Sequence, residues 1–404
     1  MRPTKAIIHL DKLKHNISLV RQMVGTRKVC MPVKADAYGH GMLAVAEAAL
    51  EAGVAYLAIA TVEEGAALRA AGISAPVLLL GYCRGSDIEA AIENRLELFA
   101  GDAGYLEEIE KAAAKVGKTA KIHIKIDTGM GRLGCRPEDA AFLAELLVSR
   151  PGLQLAGVST HLAVSDSLDE KDIAWTNLQL DRFEKALSEI RQKGIEPGIV
   201  HAANSGGVCF HPRSHYDMVR PGIMLYGYPP EEFLATNDTN DTNILKEFLP
   251  VMELVTAIIT TKQVKAGESV SYGRTWVASS DTTIGVLPLG YGDGLRRGLS
   301  GKLKVLIEGR LYEQVGRICM DQCMINLPSP NPSQREGRNC FDLSHGEGGD
   351  CICSSPSGGG WVGVTVSIFG GAGGMDAADL AALIGTIPYE ITCGITARVP
   401  REAV

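Results

Sequence analysis

Four absences narrow what this chain can do. It has no Lys/Arg run or basic stripe. Its 40 cations against 47 anions leave a formal net charge of −7, which argues against a nucleic-acid partner. No stretch approaches the roughly 20 apolar residues that a membrane helix requires. The opening residues, MRPTKAIIHLDKL, lack the apolar core of a signal peptide. The ten cysteines are scattered without a C-x-x-C pair, so they read as reduced thiols in a cytoplasm and not as a disulfide framework. What remains is 404 residues, 46% of them hydrophobic and 22% charged. That is enough chain to bury a large core without staples, in two or three domains or in one barrel plus a smaller domain.

From Val29 to about Arg220 the texture alternates. Short apolar runs read as strands: VCMPV (29–33), AYLAIA (55–60), PVLLLG (76–81), LELFA (96–100), KIHIKI (121–126), LQLAGV (153–158), GIVHA (198–202) and YDMVR (216–220). Between most of them lie stretches such as MLAVAEAALEAG, AGYLEEIEKAAAKVG and TNLQLDRFEKALSEIRQKG. Their apolar residues recur at i, i+3, i+4 and i+7, and each ends at a glycine. Eight such repeats predict a (β/α)8 barrel, with an open doubly wound sheet as the competing arrangement. The barrel is expected over residues 1–240, with residues 1–10 forming a strand that joins a second domain. That domain, 241–404, follows the polar linker ATNDTNDTN (235–243) and is β-rich, with glycine turns every 8–12 residues. The Gly/Ser/Pro-rich stretch at about 328–360 reads as a flexible insertion. Its Cys340, His345, Cys351 and Cys353 fit no common zinc spacing, so no metal is expected.

Chemistry gathers at the predicted strand ends, which form the active-site face of a barrel. Lys34 follows the first barrel strand. Low-dielectric walls there favour a neutral amine, and neutral lysine forms Schiff bases with carbonyls. Taken alone, a strand-end lysine more often reaches into solvent. Its neighbours Tyr38, Gly39, His40 and Gly41 strengthen the chemical reading. Lys125, Asp127 and Arg132 come at the end of the fifth run, in a stretch that contains a G-x-G-x-x-G (Gly129, Gly131, Gly134) without the first-βα-turn setting of a dinucleotide site. The sixth ends at His161, for which a structural role is as well founded as a ligand role. The seventh ends at Asn204 and Ser205 before two glycines, and the eighth at Arg220. Ser205 with the backbone of Gly222 and Ile223 makes a plausible phosphate cup. A Schiff-base lysine beside a phosphate cup points to pyridoxal phosphate. Aldolases combine the same two features without needing a second β domain.

These residues carry a resemblance. VKADAYGHG resembles the cofactor-lysine motif of the alanine racemase family, pyridoxal-phosphate enzymes of fold type III. IKIDTGMGRLG, HAANSGG, VRPGIMLYG, SYGRTW, LGYGDG, GRICMDQ and PYEITCGITARVPR resemble further motifs of that family, in its order, over nearly the whole chain apart from 328–360. The resemblance implies two-base racemisation of L- and D-alanine, supplying D-alanine for peptidoglycan, by a cytoplasmic homodimer. Lys34 would hold the cofactor and serve one face of Cα. Tyr272, from the β domain of a second subunit, would serve the other. Tyr38, Ser205, Gly222 and Ile223 would bind the phosphate, and Asn204 belongs to the same motif. Arg220, supported by His161, would meet the pyridine nitrogen. An arginine there does not readily give up its proton, so the ring nitrogen should stay unprotonated. Arg132 would lie near the cofactor's phenolic oxygen, oriented by a carbamylated Lys125. The backbone of Met320 would bind the substrate carboxylate, and Tyr291 and Tyr389 would narrow the entrance. The competing readings are a racemase that also takes serine, a fold-type-III decarboxylase, which typically sets a carboxylate on the pyridine nitrogen, and a cofactor carrier, which lacks the β domain.

Overall fold

The computed structural model describes residues 2–230, 242–327 and 360–404. The segment 328–359, with Cys340, His345, Cys351 and Cys353, and most of the 235–243 linker lie outside the described residues. Two compact units emerge, one of Leu10–Leu249 and one of Met1–His9 together with Pro250–Val404.

In the larger unit, eight parallel strands close into a barrel: Lys28–Pro32, Tyr56–Ile59, Val77–Leu79, Leu96–Ala100, Ala120–Lys125, Leu153–Ser159, Ile199–His201 and Met218–Val219. Closure is made by Val29 pairing with Val219. All eight coincide with the runs expected from sequence, within two residues at either end. The open-sheet alternative is therefore excluded. The runs are legible because strands of a parallel barrel are buried on both faces and read as unbroken apolar segments.

The connecting helices obey local end signals. Thr61 and Glu64 form a capping box on Val62–Ala70. Asp102 caps Ala103–Val116, which ends at a left-handed Gly117. The helix Leu10–Val24 opens the unit and buries Leu13, Ile17, Leu19 and Val20 on one face.

In the smaller unit a nine-stranded sheet carries the core. Its strand Lys5–Ile8 pairs antiparallel with Met252–Ala257 and parallel with Arg401–Ala403. A two-stranded ribbon, Ser269–Val270 with Trp276–Val277, projects the segment 271–275. Two short helices, Ala377–Ile384 and Pro388–Gly394, accompany the sheet.

Candidate active site

The barrel's C-terminal end collects the expected residues. Lys34 stands two residues beyond the strand Lys28–Pro32. The chain then does something unusual: Ala35, Asp36, Ala37 and Tyr38 all have φ of 52–54°. This is a turn of left-handed helix built without glycine, which costs about 1–2 kcal/mol per residue. Surrounding bonds hold it. The Ala35 N–H donates to Glu64 Oε1 at 2.6 Å, and the other oxygen of Glu64 accepts from Ala60 and Thr61. The Met42 N–H donates to Asp36 Oδ1 at 2.8 Å. The turn buries Tyr38, whose ring lies 5.0 Å from that of Tyr226, and the Tyr226 hydroxyl donates to the Pro32 carbonyl. Strain of this kind persists where the surroundings over-determine a functional geometry.

Arg220 is buried and donates in several directions: Nη1 to His201 Nδ1 at 2.6 Å, and Nη2 to the Thr160 and Ala202 carbonyls and to His161 Nδ1 at 3.3 Å. His161 therefore lies against Arg220, and His201 makes the shorter contact. Burial lowers the guanidinium to about 10, which leaves it charged at neutral pH. Burial, with the charge of Arg220 next, holds both imidazoles well below the ordinary histidine range. Lys125, Arg132 and Lys34 also act on His161, so four cations converge on this end of the barrel. Lys125 itself is buried, with its amine 3.1 Å from the Ile126 carbonyl. Burial, then the charge of Arg220, lowers it to about 7.

One carboxylate, Asp127, partly offsets these cations by its charge on Lys125, but its hydrogen bonds go elsewhere. Asp127 accepts four backbone N–H groups, from Gly129, Met130, Gly131 and Arg132, at 2.9–3.0 Å. Burial raises it, but these four bonds hold it below the usual carboxylate range. The same fact disposes of the G-x-G-x-x-G motif. Amides that could cradle a pyrophosphate are already satisfied by the chain's own carboxylate.

The phosphate-cup residues are also adjacent. The Gly222 N–H donates to Ser205 Oγ at 2.9 Å, and the Ser205 proton stays available to a further acceptor. Asn204 is spent on the loop: its Oδ1 accepts from Gly207 N–H and Ser165 Oγ, and its Nδ2 donates to the Leu162 carbonyl. A Cβ on Gly206 would lie 2.5 Å from the Ser165–Asp166 backbone, so only glycine lets the loop close there. Ile223 opens a buried turn, Ile223–Tyr226. An amine, a surplus of positive charge, a hydroxyl with loop amides and a buried donor-only guanidinium suit an anionic carbonyl cofactor with a basic ring nitrogen. These residues fit pyridoxal phosphate.

The remaining expected residues lie in the smaller unit. Tyr272 is 71% exposed on a turn that begins at Ser271, with φ of 68°, whose hydroxyl donates to the Arg317 carbonyl. Met320 and Tyr291 are 53% and 42% exposed. Their loops are stitched together: the Tyr291 N–H donates to the Cys319 carbonyl and the Gly292 N–H to the Met320 carbonyl. Beneath them a fully buried Asp293 accepts from Arg2 and from the Gly290 N–H. Tyr389 sits on the helix Pro388–Gly394, whose Glu390 carbonyl accepts from Arg296. Sequence reading missed Glu97, His123 and His201, which join Arg220 in the barrel interior. Their signal was present as charged and polar residues inside otherwise apolar strand runs. Among the described residues no group of His, Cys, Asp or Glu could hold a metal ion, and no helix is long and apolar enough to cross a membrane.

Known proteins match on these grounds. Residues 8–230 match the family model "Alanine racemase, N-terminal domain", and 251–346 with 357–403 match "Alanine racemase, C-terminal domain". Alanine racemases of Treponema denticola and Treponema pallidum are 44% and 41% identical, each over 99% of this chain and 98% and 99% of their own. Among solved structures, the alanine racemase of Streptomyces lavendulae is 33% identical with a TM-score of 0.85, covering 100% of this chain and 97% of its own. That of Bacillus anthracis with bound L-Ala-P is 31% identical with a TM-score of 0.83, covering 100% and 95%.

Proposed function

The chain belongs to the alanine racemase family, and on that premise we propose how its own residues divide the work. The protein is a pyridoxal 5′-phosphate-dependent isomerase that interconverts L- and D-alanine. The bound cofactor acts as an electron sink that acidifies the amino acid's Cα proton. Lys34 holds the cofactor by its amine and exchanges a proton with Cα on the D-face. Tyr272 exchanges one on the L-face, and it comes from the partner subunit of a homodimer. Tyr38, Ser205 and the Gly222 and Ile223 amides grip the phosphate, with Asn204 shaping their loop. Arg132 approaches the phenolic oxygen. The Lys125 amine attacks CO2 through its lone pair, forms an N–C bond and loses a proton to water. The resulting carbamate anion then orients Arg132. The Met320 N–H receives the substrate carboxylate. Tyr291 and Tyr389 restrict the side chain to a small group, which favours alanine over serine. The protein works in the cytoplasm and supplies D-alanine for peptidoglycan.

One observation carries the choice of reaction: the buried guanidinium of Arg220 rests on two neutral imidazoles and, among the described residues, on no carboxylate. Such a donor keeps the ring nitrogen unprotonated and limits the electron sink, which suits reversible proton exchange better than decarboxylation. The test is Tyr272→Phe in single-turnover deuterium exchange. Removing a general base costs about 10²–10⁴-fold. That loss is expected for Cα exchange from L-alanine, with much less from D-alanine. Equal losses from both enantiomers would refute the two-base assignment.

A further inference from the structure

We propose that Glu97, His123 and His201 form a one-way hydrogen-bond relay through the barrel interior that positions Arg220, which makes Glu97 a remote positioning residue of this enzyme. Its bearing on the cofactor rests on the reading that Arg220 meets the ring nitrogen.

The direction follows from donor chemistry. Arg220 Nη1 lies 2.6 Å from His201 Nδ1, and a guanidinium only donates. His201 Nδ1 is therefore bare, and the neutral ring carries its proton on Nε2. That nitrogen lies 2.9 Å from His123 Nδ1, which must accept. The His123 proton is then on Nε2, 2.9 Å from Glu97 Oε2. Glu97 accepts as a carboxylate, and its other oxygen lies 3.3 Å from Lys121 Nζ at the half-exposed end of the relay. Burial raises the Glu97 carboxyl, but the bonds from His123 and Lys121 hold it below its usual range.

No reversed arrangement closes. A protonated Glu97 donating to His123 would pass a proton to His201 Nδ1 and set N–H against guanidinium N–H. A doubly protonated His201 does the same. A doubly protonated His123 sets its Nδ1–H against His201 Nε2–H. Nor can the rings find other partners. His123 and His201 are fully buried, the Phe99 ring stacks on His201 and meets His123 edge-on, and Cys30, Tyr56 and Met218 line the same core. The relay and the Nη2 contacts use the terminal nitrogens of Arg220. Its Nε makes no hydrogen bond with the described residues. The barrel thus clamps one edge of the guanidinium and leaves a donor for a ligand.

The test starts with the cofactor-free protein, selectively labelled with ¹⁵N-histidine. Two-bond ¹H–¹⁵N spectra should show His123 and His201 neutral and protonated on Nε2 from pH 6 to pH 8. A proton on Nδ1 of either ring would overturn the relay. Affinity for pyridoxal phosphate is then measured for Glu97→Gln, which keeps an acceptor, and Glu97→Leu, which removes it. Orphaning a buried donor should weaken binding about tenfold in Glu97→Leu, with most of the affinity recovered in Glu97→Gln. The loss should vanish when the probe is the 1-deaza analogue of pyridoxal phosphate, which has no ring nitrogen. Equal losses with both probes, with the tautomers as assigned, would overturn the link to the ring nitrogen and with it the reading of Arg220. Unchanged affinity in a folded Glu97→Leu would overturn the positioning role.

Discussion

A single side chain can report on the charge around it, and Lys125 does so here. It is buried beside Arg220 and within reach of Arg132, and its amine is lowered to about 7. An unfolded lysine keeps its proton to roughly pH 10. Between these values the unfolded chain binds the extra proton, so stability rises with pH, by about 1.4 kcal/mol per unit. Below pH 7 both states are protonated and the cost of burying the charge is fully present. In CO2-free buffer, urea unfolding of the wild type should therefore stiffen between pH 7 and pH 9, and that of Lys125→Met should not. Parallel slopes would show that the lysine is not held as an amine. The residue types at the site were legible because each motif names its chemistry. The environment of Lys125 was not, since Arg220 reaches it from another segment of the chain.

At the scale of the element, the turn at 35–38 is the informative one. Sequence marked Lys34 as a candidate but could not show a left-handed turn, because alanine and tyrosine carry no signal for positive φ and a single aspartate only a weak one. The conformation is imposed by Glu64 and Asp36. Ala35 is exposed, so relief of its φ is not confounded by packing. Ala35→Gly should stabilise the protein by about 0.5 kcal/mol, the relief of strain exceeding the entropic cost of glycine. Ala35→Val should destabilise it by roughly 2 kcal/mol. Chemical denaturation of the pair measures both, and a common sign would show that the turn is not strained. The loop carrying Tyr291 depends likewise on Asp293. Asp293→Ala leaves the Gly290 N–H without its acceptor and Arg2 with only the Pro288 carbonyl among the described residues, and should cost about 1–3 kcal/mol. If the stitching of Tyr291 to Met320 matters for substrate, the KM for alanine should rise in a variant that still folds. A thermal melt alongside steady-state kinetics separates the two effects.

At the scale of the whole molecule, the two proposed bases lie in different compact units, and Tyr272 is largely exposed in its own. If the active site is shared between subunits, Lys34→Ala and Tyr272→Ala dimers, each inactive, should complement when unfolded and refolded together. Half of the dimers would be mixed, each with one intact site of two, giving about a quarter of wild-type activity. No recovery from a mixture shown to contain heterodimers would sink the shared site.

The sequence by itself determined the eight barrel strands, the β-rich second unit and the family, and it singled out Lys34 as the candidate lysine, because burial on both strand faces and side-chain chemistry are written locally. Tertiary structure alone decided two things. It set the left-handed turn, through bonds from Glu64 in the first turn of the helix Val62–Ala70. It also lined up Glu97, His123 and His201, on three strands, with Arg220 at the end of a fourth. Donor and acceptor directions depend on which atoms meet, and residues separated by as many as 78 positions meet only when the barrel closes.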